Sequence, residues 1–209
     1  MRYDFDMIRT GCETLARKEP ALAAAYSAIG VPDWRLIDAD FNSLARIVTF
    51  QLLSTRAAAA IWARLQNWAG GTIHPEQVIA ADADELRQCG LSRPKVQHFK
   101  SIATAIADKQ LCFDHLASLP DAEARKQLVS VKGIGPWTAD VFLMSAYIRL
   151  DVFPKAVVGL MEAFRILNGD PERPSARAFT LMAERWSPYR SVAAHLLWGY
   201  INFKRNQSY

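Results

Sequence analysis

Two glycines separated by a single residue constrain this chain more than any other feature. They lie in Val131-Lys132-Gly133-Ile134-Gly135-Pro136-Trp137-Thr138-Ala139. A helical stretch opening at Leu119-Pro120-Asp121 runs to about Leu128 before them. Val141, Phe142, Met144 and Tyr147 continue at helical spacing after them. Pro136 suits a first helical turn, where its missing N–H is not needed. The segment over 128–139 therefore reads as helix, tight turn, helix. The first N–H groups of a helix have no partner inside it, and here they would point outward together. With the helix dipole they form a site for an anion, and a DNA phosphate fits there without any base contact. Lys132 adds a positive charge. The same Gly-x-Gly pattern also suits an ordinary helix–helix corner.

Helical periodicity dominates elsewhere, and strand signals are weak throughout. Leu44, Ile47, Val48, Leu52, Ala58, Ile61 and Leu65 recur mostly three or four apart, with Ser54 placed to cap a second helix. Leu91-Ser92-Arg93-Pro94 opens another helix through Phe99, Ile102 and Ile106. Asp151-Val152-Phe153-Pro154 is a short extended break, because Pro154 disfavours helix at Phe153. Helix resumes through Leu160 and Phe164 to Asn168-Gly169-Asp170-Pro171, and two more cover about 175–186 and 189–203. The expectation is an all-α chain of about ten helices. Residues 1–209 would form one domain of two interleaved helical lobes, with a cleft between them.

Hydrophobic residues make up 51% of the 209, which excludes a disordered chain, and the net charge of +4 permits a polyanionic partner. Three widely spaced cysteines, Cys12, Cys89 and Cys112, suggest neither a disulfide framework nor a zinc site, and are too few for a four-cysteine iron–sulfur cluster. They read as reduced thiols of a cytoplasmic protein. Met1–Phe5 lacks a signal-peptide pattern, and charged residues interrupt every apolar stretch, so no membrane partner is expected.

The hairpin segment closely resembles that of the helix-hairpin-helix DNA glycosylases, in particular the 3-methyladenine DNA glycosylase II branch, which carries a tryptophan after the turn. Three more segments are similar to that family in order and spacing. They are Phe50-Gln51-Leu52-Leu53-Ser54-Thr55-Arg56-Ala57-Ala58, Gly90-Leu91-Ser92-Arg93-Pro94-Lys95, and Trp186-Ser187-Pro188-Tyr189-Arg190-Ser191 with Trp198 beyond. The resemblance covers about 40–198. It implies base excision of alkylated purines such as 3-methyladenine from double-stranded DNA carrying damaged or abasic sites. The base would be flipped out of the helix, by a monomer that needs no cofactor and, if bacterial, is associated with the nucleoid. It also implies roles for residues. Lys132, Gly133, Ile134, Gly135 and Thr138 would bind a phosphate, and the hairpin carbonyls are a candidate seat for a monovalent cation. Leu52, beside Gln51, would be the wedge that enters the duplex; the alternative is a core leucine. Trp137 and Trp198 would line the base pocket; the alternative is core packing. The lysine that bifunctional relatives use for a Schiff base is replaced by Trp137, which implies a monofunctional enzyme with no lyase step.

Cleaving a base from deoxyribose makes the sugar carbon cation-like, so a nearby carboxylate stabilises the transition state. In the family it lies six residues after the aspartate of Asp151-Val152-Phe153. That position here is Val157, which has no charge and no proton acceptor. Candidate substitutes are Asp151, Asp140 and Glu162; for Asp151 and Asp140 a cap or a surface ion pair is the favoured reading. Two functions follow: a glycosylase, or a DNA- or lesion-binding homologue that has lost the chemistry. A helix-turn-helix regulator is disfavoured, since no helix is dense in Arg, Asn or Gln.

Overall fold

The computed structural model describes residues 5–207. Met1–Asp4, on which most of the leader-segment expectation rests, lie outside the described residues. Among the described residues every regular element is helical. In chain order these are α1 (Phe5–Lys18), α2 (Pro20–Ile29), α3 (Phe41–Phe50), α4 (Thr55–Ala69), α5 (Pro75–Ala80), α6 (Ala83–Gln88), α7 (Arg93–Ala107), α8 (Phe113–Ser118), α9 (Asp121–Ser130), α10 (Pro136–Ala146), α11 (Val158–Asn168), α12 (Ala176–Ala183) and α13 (Arg190–Gln207). A 3-10 turn, Glu184–Trp186, follows α12. The count exceeds the ten expected because α5, α6 and α8 have six residues each, too few to show a 3.6-residue repeat.

Capping sets the boundaries where the sequence placed them. Ser54 accepts a hydrogen bond from the Ala57 N–H, Ser92 from the Lys95 N–H, and Ser175 from the Ala178 N–H. Each satisfies one donor that the first turn cannot. Gly169 ends α11 in the left-handed region.

The chain divides into two units. The hairpin unit is the continuous stretch Leu36–Tyr147, holding α3 to α10. Leu44, Leu65, Leu86, Phe99, Ile102, Leu128 and Phe142 are fully buried in it, and Phe41 meets Phe99 edge-on at 6.5 Å. Truncating Phe99 or Phe142 to alanine would remove about 3–5 kcal/mol. The second unit is discontinuous, made by the chain up to Arg35 and again from Ile148. Its core is an aromatic cluster of Phe153, Phe164, Phe179 and Trp186, with ring centroids 5.6–5.7 Å apart. Glu19, buried at the start of α2, accepts hydrogen bonds from Arg185 and from the Trp186 indole N–H. No helix among the described residues is long and apolar enough to cross a membrane.

Candidate nucleic-acid interface

The hairpin joins α9 to α10, and its two glycines have different reasons for being glycine. Gly133 has φ 102°. A Cβ there would stand 2.5 Å from the His98 Cβ and 2.9 Å from the His98 Cα, so backbone angle and space both demand glycine. Gly135 has an ordinary φ of −80°, and a Cβ would meet nothing within 4 Å. It is the N-cap of α10, and no side chain caps that helix. The first-turn N–H groups of α10 therefore have no capping side chain at the positive end of the helix. Ile134 pins the turn: it is 3% exposed, and its N–H donates to the Val131 carbonyl at 3.0 Å. Lys132 is exposed beside it. Thr138 is fully buried, and its hydroxyl accepts from Gln51 Nε2. Burial, Lys132 and Lys95 together push the His98 imidazole below its usual pKa.

Between α3 and α4 the chain makes a short loop, Gln51–Ser54. Leu52 at its tip is fully exposed, with φ 56°. An apolar side chain in the left-handed region, with no packing around it, gains nothing for the isolated fold. That geometry removes the core-leucine alternative. Gln51 turns inward to Thr138. The loop is held from the other side by Lys95, whose ammonium donates to the Thr49 and Gln51 carbonyls at 2.6 and 2.8 Å. Burial lowers the Lys95 pKa. Nothing in the sequence pattern marked Lys95 beyond its place in Gly90-Leu91-Ser92-Arg93-Pro94-Lys95.

The discontinuous unit carries Val157, the position at which the resemblance leads one to expect a carboxylate. Val157 is the N-cap of α11, half-buried and without a capping side chain; its carbonyl accepts from Leu160 and Met161. The preceding Ala156 has φ 60°. Asp151 is fully engaged. Arg190 donates to both its oxygens at 2.9 Å, the Arg190 backbone N–H donates at 3.2 Å, and the Ser187 hydroxyl donates at 2.9 Å. Burial pushes its carboxyl up, but the Arg190 and Ser187 hydrogen bonds outweigh this and hold it below the usual range. Asp140, in the hairpin unit, is 2% exposed and bound by Arg125 Nε at 2.6 Å. Glu162 pairs with Arg165 and Arg173.

Trp198 is half-buried on α13, and Trp137 is half-buried in the first turn of α10. Trp198 is backed edge-on by His195 at 5.8 Å, and His195 stacks on Trp34 at 3.8 Å with the rings 11° apart. The His195 Nδ1–H donates to the Ser191 carbonyl. Burial lowers the His195 pKa to about 4, so the ring is neutral near pH 7. Single-sequence periodicity gave no sign of this stack, because Trp34 lies in a loop far from α13 in sequence. Cys12 and Cys89 are buried and Cys112 is exposed. Among the described residues no group of three or more His, Cys, Asp or Glu could hold a metal ion.

No family profile matches the chain. Individual proteins do. It is 31% identical over 161 residues to DNA-3-methyladenine glycosylase 1 of Schizosaccharomyces pombe, covering 76% of this chain and 71% of that protein. It is 31% identical over 124 residues to YfjP of Bacillus subtilis, covering 59% of this chain but 43% of that relative, so the chain spans less than half of YfjP. Among solved structures, the Schizosaccharomyces pombe 3-methyladenine DNA glycosylase in complex with abasic DNA matches with a TM-score of 0.83 at 26% identity. The match covers 90% of this chain and 95% of that one.

Proposed function

The chain belongs to the DNA-3-methyladenine glycosylases of the helix-hairpin-helix superfamily, and on that premise we propose that it binds duplex DNA at alkylated or abasic sites in base-excision repair. Residues 1–209 act as one functional domain in this reading. Leu52 carries it: a leucine held fully exposed in a left-handed loop suits the gap left when a base leaves the stack. The uncapped start of α10 and Lys132 would take a backbone phosphate, so binding is independent of sequence. Trp137 and Trp198 are each offered as a stacking surface for an alkylated purine, whose positive charge suits an electron-rich ring.

In the reaction, the bond between C1′ and the purine nitrogen breaks and its electron pair leaves with the base. This neutralises a cationic base such as 3-methyladenine. C1′ becomes cation-like until water adds and loses a proton. This chain offers no carboxylate at Val157 to stabilise that stage, so base release is slow. With Trp137 in place of a Schiff-base lysine, the reaction stops at the abasic site. A second reading, a lesion-binding homologue without turnover, is supported by the same valine and by the engagement of Asp151 and Asp140 with arginines.

Single-turnover release of 3-methyladenine and 7-methylguanine by the wild type and Val157→Asp, with affinity measured separately, tests the proposal. The expected result is slow release that the substitution accelerates. Fast wild-type release, unaffected by Val157→Asp but abolished by Asp151→Asn or Asp140→Asn in folded protein, would show that the carboxylate has relocated.

A further inference from the structure

Helix α3 ends at Phe50, and its last carbonyls have no partners within the helix. Lys95, on α7, meets one of them and the C-cap beyond: its half-buried ammonium donates to the carbonyls of Thr49, in the last turn, and Gln51. The positive charge also matches the negative end of the α3 dipole. The next residue is Leu52, in a conformation that leucine keeps only where its surroundings impose it. Gln51 is fixed twice, by its carbonyl to Lys95 and by its side chain to Thr138 on α10. One turn further along α7, His98 backs Gly133 of the hairpin. A single face of α7 thus supports both loops.

We infer that Lys95 is the positioning residue of the wedge, fixing the backbone on the N-terminal side of Leu52 so that the side chain is presented outward before DNA binds. The inference rests on the reading of Leu52 as the wedge. The ammonium is occupied by protein carbonyls, so its effect falls on discrimination between gapped and intact stacks rather than on general affinity. Pre-ordering the loop removes an ordering penalty that binding would otherwise carry.

The test uses the full chain, a duplex containing a tetrahydrofuran abasic analogue with 2-aminopurine opposite it, and the matching intact duplex. Lys95→Met keeps the apolar stem and removes the ammonium. It is expected to reduce the preference for the abasic duplex about tenfold, with affinity for the intact duplex held within about twofold. The 2-aminopurine signal of unstacking should weaken in parallel. Lys95→Arg, which keeps a charged donor, should recover part of the preference. In a Leu52→Ala background, Lys95→Met should change the preference no further. Equal loss on both duplexes would mark Lys95 as a general phosphate charge and overturn the inference, as would an unchanged preference. If Leu52→Ala abolishes the preference while Lys95→Met does not, the inference alone fails. If Leu52→Ala leaves it intact, the wedge reading itself fails. Should Lys95→Met not fold, Lys95→Gln carries the same readouts and outcomes.

Discussion

Val157 occupies the N-cap of α11 with a side chain that cannot cap it. Valine is among the poorest N-caps; an aspartate would accept a hydrogen bond from the first turn and sit at the positive end of the dipole. Val157→Asp should therefore raise stability by about 1 kcal/mol, read as a melting temperature a few degrees higher. In the same variant, base release should rise on the order of a hundredfold. A variant that melts higher but releases no faster would separate the cap from the chemistry. Asp151 has the opposite character. Asp151→Asn would leave Arg190 poorly matched and lower stability by about 1–3 kcal/mol. Its depressed pKa makes its contribution complete above the ordinary value of 3.8, and lost as pH falls through the lower folded value. His195 acts in a different window. Burial takes its pKa from 6.5 to about 4, so the unfolded chain binds the extra proton first. Stability should fall as pH drops from about 6.5 to about 4, by up to roughly 3 kcal/mol, and level off below. Melting curves across that range should flatten in His195→Phe, which keeps a ring against Trp34 and cannot titrate.

The hairpin separates two roles that its glycines share in sequence. Gly133→Ala places a Cβ against the His98 backbone at a positive φ, so the turn must shift. It should lower both stability and affinity for every duplex. Gly135→Ala meets no atom and has an allowed backbone angle, so the fold should melt within about half a kcal/mol of wild type. Any loss of affinity there reports a methyl group standing in the path of a phosphate. Unchanged binding by both variants would remove the hairpin as the anchor. The sequence alone treated the two positions alike, because a Gly-x-Gly pattern carries no information about which φ is positive or which neighbour crowds the turn. It located the helix starts at Ser54, Ser92 and Pro136 well, since capping and proline act within a few residues. The six-residue helices were illegible for want of a period. The Lys95 and His195 contacts were illegible because they join residues tens to more than a hundred positions apart. Leu52 lay on the boundary: its spacing fitted a helix face as well as a wedge, and its exposure removes the buried helix face.

At the level of the whole molecule, a net charge of +4 is modest, so affinity should depend on a few phosphate contacts rather than on a broad field. Binding to unrelated duplex sequences should be similar and should weaken as salt rises. Lys132→Ala should reduce the slope of log affinity against log salt by about one. An unchanged slope would place the phosphate contacts elsewhere. The division of the chain has a separate consequence, for how the molecule comes into being. Leu36–Tyr147 is continuous and can complete its contacts as it emerges during synthesis. The other unit cannot: Glu19 must wait for Arg185, 166 residues later, and α2 for α13. Such long-range closure is entropically demanding and slow. Until it occurs, Leu15, Leu22 and Ala25, which end fully buried, are in water. The nascent chain therefore passes through a stage with one finished half and a sticky leading segment, and it is there that chaperones would find their purchase.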